Sequence, residues 1–437
     1  MRLTTAEVAA AVGGRVHGPA TVVEGASTDT RTLRPGQLFV PVVAARDGHD
    51  FLSEALGAGA AAYLTSRPPG VGTAVEVDDT SLALWELGRA ARDRLGDTVV
   101  GITGSVGKTT VKDLVAGGLA TTMPTHATRA SYNNELGVPL TLLDAPDGVR
   151  AVVVEMGARF PGDIVRLCEL VRPTVGVVTS IGSAHLEHLG GPEGVRVEKG
   201  SLLVDLPADG FAVVNDVDCG PDVRARTVAT VVSFGLGTGD VRAAVEAVDD
   251  ELRPTVRIES PWGSGRAVLA VRGTHQAVNA AAAVAAAVCA GAGFDAALAG
   301  VADAQGSRLR AELWRTPSGL RVLNDSYNAN PTSTEAALRS LAGLDAPRRV
   351  AVLGEMAELG ADAADAHRAI GRLAGSLGIE VLAVGGAPYG GTPVGSQEEA
   401  LELVEALPPD SVVLVKASRS VGLDRLAERL REGAGVR

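Results

Sequence analysis

ITGSVGKTT (Ile102 to Thr110) follows the apolar run TVVGIT and precedes the helical pattern KDLVAGGLA. A strand–loop–helix junction of this kind turns backbone N–H groups and a helix N-terminus toward an anion. Its lysine, Lys108, reaches the outer phosphates of a nucleotide, and the Thr109 hydroxyl can bind Mg2+. The strict nucleotide-loop spacing asks for glycine where Ile102 stands, so the match is to TGxxGKT; a chance glycine-rich turn is the other reading. Two more groups follow the next apolar runs. Glu155 is near the end of AVVVEM, and His185 lies a few residues past VGVVTSI. Each alone reads equally well as a loop acid or a capped histidine. Beyond the carboxyl ends of strands in one parallel sheet, the two together predict a metal site beside the phosphate loop.

Lysine usage adds a second signal. Of 40 lysines plus arginines only four are lysine, namely Lys108, Lys112, Lys199 and Lys416. A lysine retained in such a chain marks a place where an amine does what a guanidinium cannot, with chance as the alternative. NDSYNANP (Asn324 to Pro331) makes a good turn and helix start, and its asparagines also offer fixed donors and acceptors to a polar substrate. RGTHQAVNAAAA sets His275 and Asn279 on one helical face. SRLR (Ser307 to Arg310) and KASRS (Lys416 to Ser420) carry arginines in or near loops.

The elements that must position these groups fall into three segments. Residues 1–96 hold a short helix (Thr5 to Val12), a turn at Pro35-Gly36, a strand at LFVPV, and helical patterns at FLSEALG and LALWELGRAARDRL. Residues 97–312 alternate buried Val/Ile runs with helices, the mark of a parallel sheet covered on both faces. That segment continues through a β-rich stretch (Val231 to Pro261) into an alanine-rich helix. Residues 313–437 repeat the alternation at LRVLND, RRVAVLGEM, IEVLAVGG and SVVLVKAS, with a loop over 385–396. The expected fold is therefore α/β in three domains: an N-terminal α/β unit, a central phosphate-loop parallel-sheet unit, and a C-terminal Rossmann-like unit. With 46% hydrophobic and 21% charged residues, the 437-residue chain is not a disordered one. A net charge of -12 without basic runs argues against nucleic acid and anionic membrane as partners. Cys168, Cys219 and Cys289 form no CxxC pair, the apolar stretch from Ala280 to Phe294 is short for a membrane span, and no signal peptide is evident. A cytoplasmic setting is the expectation.

These motifs, in this order, resemble the Mur ligases over essentially the whole chain. STDTR, PGQLFV and DGHDF resemble the family's UDP-sugar domain, and TGSVGKTT, NNELGVPLT, EMGAR, SAHLEH and EKGSLL its central ATPase domain. NDSYNANP, VLGEMAELG and KASRS resemble the domain that takes the incoming amine. YNANP with GEMAELG points to members that add a dipeptide, and the DNPR motif of diamino-acid-adding members is missing.

The resemblance implies an ATP-dependent amide ligase of peptidoglycan precursor synthesis. ATP would phosphorylate the terminal carboxylate of UDP-N-acetylmuramoyl-tripeptide, and the amine of D-alanyl-D-alanine would displace phosphate from the acyl phosphate. It implies that Gly104, Ser105, Gly107, Lys108, Thr109 and Thr110 hold the ATP phosphates, with Asn279 at the adenine, Arg308 at the phosphates and Asp325 at the ribose. Thr109 and Glu155 would hold one Mg2+ and His185 a second, while Lys199 matches a lysine that the family carbamylates with CO2 to help hold metal. Asn133 and Asn134 would lie near the γ-phosphate and the tripeptide carboxylate; Lys108, Lys199, His185 and Asn134 form the implied catalytic set. Ser27, Asp29, Arg31, Asp47 and His49 would sit by the UDP-sugar, and Asn328 and Asn330 by the dipeptide. The chain is expected to act as a monomer whose C-terminal domain swings to close over the central one. Departures such as Gln276 and Ser201, where asparagine and glutamate are usual, leave room for a paralogue that makes a different amide. A non-catalytic nucleotide-binding module is the reading from another class.

Overall fold

The Val- and Ala-rich runs assemble into separate sheets in a computed structural model that describes residues 1–182 and 186–433. The largest sheet has nine strands and contains the phosphate-loop strand, Thr98–Thr103, flanked by Val175–Val178 on one side and Ala151–Glu155 on the other. From Thr230–Leu236 across to Thr125–Ala127 all neighbours pair in parallel, while Pro254–Ser260 and Gly263–Val268 form an antiparallel edge. The chain steps from Thr98–Thr103 to neighbours on both sides, so a crevice opens beyond its carboxyl end. Two helices wall the crevice from one face: Lys108–Ala120 after the phosphate loop, and the alanine-rich Gln276–Cys289 packed against it. Ten of the latter's residues are buried, and their small side chains let the two backbones approach closely.

The C-terminal sheet has six strands in the order Glu312–Arg315, Arg321–Asn324, Val412–Lys416, Arg349–Leu353, Glu380–Val384 and Thr392–Val394. Register pairs Asn324 with Val415, which sets Asp325 next to Lys416 at the same sheet end. Thr392–Val394 corrects the expected loop over 385–396: it is a short edge strand, and the edge is where Pro393 is tolerated. In the N-terminal unit five short strands form one sheet and Arg2–Thr4 with Val22–Glu24 a two-stranded ribbon. There the strand expected at LFVPV is only Leu38–Phe39, and Pro41 has no N–H to carry the ladder on.

The apolar core does not stop at the end of the N-terminal unit. Leu3, Val8, Leu84 and Leu87 belong to one buried cluster with Val138, Leu140, Val152 and Leu170 of the central unit. Helix Thr80–Arg92, capped by Asp79 on the N–H groups of Ser81 and Leu82, lies against helix Gly137–Asp144. The C-terminal unit has a cluster on each face of its sheet, and one of them takes in Leu252 from the central unit. No helix among the described residues is long and apolar enough to cross a membrane.

Candidate active site

Two glycines give the phosphate loop its shape. Gly104 and Gly107 have φ of 146° and 86°, conformations that L side chains rarely adopt. A Cβ on Gly104 would meet the Thr179 hydroxyl at 2.0 Å, and one on Gly107 would meet Asn279 Oδ1 at 2.8 Å. The loop is tied to the next strand: the Ser105 N–H donates to Ser180 O at 3.0 Å, the Val106 N–H to Ser180 Oγ at 2.9 Å, and Thr179 Oγ1 to Val106 O at 2.6 Å. Lys108 folds back so that its ammonium donates to Gly104 O at 2.6 Å, above the start of its own helix. Ser105, Gly107, Lys108, Thr109 and Thr110 then line a cleft of about 560 Å³, together with Asn133, Asn134, Glu155, Asn328 and Asn330.

Glu155 ends its strand almost fully buried, at 1% exposure. One carboxylate oxygen accepts from Asn133 Nδ2 at 2.7 Å, while Oε2 has no hydrogen-bond partner. Lys199 is completely buried and its Nζ is likewise without a partner. Burial, and then the repulsion of Lys108, bring its pKa down to about 7, against the pull of Glu198, Asp163 and Glu155. An orphaned carboxylate oxygen and an orphaned lysine amine beside a phosphate loop fit a divalent cation and a modified lysine. Among the described residues no three His, Cys, Asp or Glu side chains converge, so a cation here would rest on few protein ligands and on phosphate oxygens. His185 lies outside the described residues.

A pocket of about 350 Å³ adjoins the loop and holds Asn279 and Asp325. Gln276 Oε1 accepts from Asn279 Nδ2 at 2.7 Å, so the glutamine orients the asparagine. The helix begins at Gln276 with His275 at its cap, so only Asn279 of the expected pair lies on the helix proper. Lys416 is 1% exposed, ion-paired with Asp325, and donates to Asn328 O at 2.9 Å. It thus holds the DSYN turn in shape. Asn330 caps helix Pro331–Ala342 by accepting from the Ser333 N–H at 2.9 Å, so its side chain has a structural task at the cleft wall. Asn134 similarly accepts from the Gly137 N–H at 2.9 Å. Asn328 makes no side-chain hydrogen bond among the described residues.

Arg308 does not line either pocket; it is 69% exposed and paired with Glu428 at 3.3 Å. The phosphate loop instead receives Arg310, which donates to Thr109 Oγ1 at 3.3 Å and lies 4.1 Å over the Tyr327 ring. Leu309 and Ala311 flank it with φ of 64° and 49°, and this irregular backbone aims Arg310 inward. The SRLR motif pointed to the segment, but spacing alone could not choose between its arginines. Lys112 is also structural: at 2% exposure it donates to Thr128 O at 2.8 Å and pairs with Asp113, holding the turn before Ser131.

The residues expected at a UDP-sugar lie apart from the cleft, on the rim of the N-terminal sheet. They are paired with each other. Arg31 holds Asp29 at 2.6 Å, Ser27 Oγ donates to Asp29 O at 3.0 Å, and His49 Nδ1 donates to Asp47 at 2.6 Å. The Ser66 N–H donates to His49 Nε2 at 3.1 Å, which fixes the proton on Nδ1. The His49 backbone N–H, its ring and Arg67 hold the Asp47 pKa down to about 2.

Two family models match the chain, the Mur ligase middle domain over residues 102–287 and the Mur ligase glutamate ligase domain over residues 309–419. The UDP-N-acetylmuramoyl-tripeptide–D-alanyl-D-alanine ligase of Mycobacterium tuberculosis is 36% identical over 98% of both chains. Among solved structures, the UDP-N-acetylmuramoylalanyl-D-glutamyl-2,6-diaminopimelate–D-alanyl-D-alanyl ligase of Acinetobacter baumannii is 30% identical, with a TM-score of 0.84 over 99% of both chains. MurF ligase from Thermotoga maritima in complex with ADP is 28% identical, with a TM-score of 0.79 over 94% of this chain and 97% of that one.

Proposed function

This chain belongs to the Mur ligase family, and from that premise we propose how its residues divide the work of joining D-alanyl-D-alanine to a UDP-N-acetylmuramoyl-tripeptide. It is an ATP-dependent ligase of peptidoglycan synthesis with the three-domain fold of its relatives. The observation that carries the assignment of roles is the pair of orphaned polar atoms, Glu155 Oε2 and Lys199 Nζ, behind a loop shaped for phosphate.

A carboxylate resists amines because its hydroxide leaves poorly. Transfer of the γ-phosphoryl group of ATP to the tripeptide carboxylate makes phosphate the leaving group. The first step brings two anions together, so cations must offset their repulsion. Lys108 and Arg310 supply two of them at the loop, and helix Lys108–Ala120 adds its N-terminal dipole. Thr109 and the free oxygen of Glu155 would hold Mg2+, which neutralises phosphate oxygens when bound. Asn133 keeps Glu155 oriented from its other oxygen. His185 retains its proposed place as a second metal residue. Lys199, with its pKa near 7, holds a neutral amine that can add to CO2. The N–C bond forms, one proton leaves to solvent, and the neutral amine becomes a carbamate anion able to help hold metal. Asn279 and Asp325 would take the nucleoside, and Asn328 the dipeptide, whose amine attacks the acyl carbon as phosphate departs. The UDP-sugar would lie along the rim carrying Ser27, Asp29 and His49. We assign the reaction to the cytoplasm and to a monomer.

The test is phosphate release from ATP by the purified protein with the tripeptide, with and without D-alanyl-D-alanine. Release that needs both, with a product heavier by one dipeptide residue, is the expected result. Nucleotide binding without release with this pair would move the assignment to a different amide.

A further inference from the structure

We infer that Arg166 receives a second carboxylate of the tripeptide and thereby decides which carboxylate reaches the phosphate loop. This rests on the ligase reading above. The tripeptide named for the Acinetobacter ligase, alanyl-D-glutamyl-2,6-diaminopimelate, carries three free carboxylates. One belongs to the glutamyl residue and two to the diaminopimelate. Only one of the three becomes an acyl phosphate, so a selective site must hold at least one of the others.

Arg166 lies on the first turn of helix Asp163–Val171 and lines the same cleft as Glu155 and Lys108. Glu198 anchors the start of that helix by accepting from the Gly162 and Ile164 N–H groups at 2.8 and 2.7 Å. The Arg166 guanidinium lies 4.8 Å over the ring of Trp85, which is 6% exposed and fixed in the core shared by the N-terminal and central units. Stacking holds the group and its charge in place while leaving its in-plane N–H donors free. The other cleft cations have partners: Lys108 has Gly104 O, Arg310 has Thr109, and Arg159 pairs with Glu358 at 3.7 Å. The Arg166 guanidinium has neither a hydrogen bond nor an ion pair among the described residues. A preset planar fork on the wall of a site whose substrate has spare carboxylates suits bidentate capture.

The experiment compares the Arg166→Gln variant with the unaltered enzyme on three UDP-muramoyl-tripeptides. One ends in diaminopimelate, one has lysine there instead, and one has its glutamyl carboxylate converted to the amide. The variant should raise KM for the first by about ten-fold, the usual loss for a charged hydrogen bond, and leave kcat and the KM of ATP and D-alanyl-D-alanine within about two-fold. One of the two altered substrates, the one lacking the carboxylate that Arg166 holds, should show the raised KM with the unaltered enzyme and suffer no further loss in the variant. That substrate identifies the carboxylate. Arg166→Lys, which keeps the charge without the fork, should recover only part of the loss. An unchanged KM in Arg166→Gln, or an equal rise for all three substrates, would overturn the inference. Failure of the unaltered enzyme to ligate any of them would count against the ligase reading, not against Arg166.

Discussion

On the N-terminal side of the central sheet, Leu84 and Leu87 share one dry core with Val138, Leu140 and Leu170. On the C-terminal side a single buried leucine of the central unit, Leu252, joins the C-terminal core, and polar pairs line the cleft: Ser131 with Tyr327, Arg159 with Glu358, and Arg310 with Thr109. The difference bears on motion. Close-packed apolar side chains resist sliding, because any shift opens voids across the whole contact. Polar pairs at a wet cleft are individually weak and can be exchanged for contacts with a ligand. The segment leading to the C-terminal unit also contains two non-glycine residues, Leu309 and Ala311, held at positive φ, each an expense of about 1 kcal/mol. The first junction therefore fixes the N-terminal rim relative to the phosphate loop, and we propose that any closure of the C-terminal unit takes place at the second.

The largest expected effect separates chemistry from both junctions. Lys199→Met should lower turnover by at least about a thousand-fold, the scale of losing a key electrostatic group, without changing the small-angle scattering profile. Turnover of the unaltered enzyme in limiting CO2 should rise as pH passes upward through about 7, where the amine becomes neutral. The folded pKa lies below the ordinary 10.5, so the unfolded chain binds the extra proton between those values and stability climbs with pH in that window. Melting curves of Lys199→Met should lack that climb and show a gain of about 1 kcal/mol or more at neutral pH. Next comes the dry junction. Leu84→Ala, at a fully buried position, should cost about 2–5 kcal/mol and lower one shared transition. An N-terminal unit that melted separately, leaving the rest unmoved, would break the comparison. At the polar seam, Arg310→Ala should lower kcat/KM for ATP by about a hundred-fold, a loss resembling that of one charge-stabilising donor, while thermal stability moves by less than about 1 kcal/mol. The smallest effect is Tyr327→Phe, expected within a few-fold in kcat and about 1 kcal/mol in stability. A loss of several kcal/mol there would make the seam as rigid as the core.

Much of this was legible in the residues. TVVGIT names its strand to the residue, because a buried parallel strand is a run of apolar residues with a glycine turn after it. The loop glycines and Lys108 were legible in TGxxGKT after a strand, and Glu155 only in company with His185, since strand ends in one parallel sheet converge. Arg310 was not. Choosing it over Arg308 requires knowing that Leu309 and Ala311 leave the usual backbone regions, which no periodicity reports. The NDSYNANP segment carried both a helix-start and a ligand reading in sequence, and at Asn330 the cap is formed. Arg166 carried no motif; its meaning comes from Trp85, some eighty positions away in the chain and adjacent only after folding.

The four lysines have a practical consequence. Lys112, Lys199 and Lys416 are at most 2% exposed, and Lys108 lines the cleft. The outer surface of the described chain therefore offers acylating or reductively methylating reagents almost no side-chain amine. Such a reagent, ordinarily an indiscriminate surface label, would have two targets here, Lys108 and the part-buried α-amine of Met1. Attachment at Lys108 would follow nucleotide occupancy, while attachment at Met1 would not.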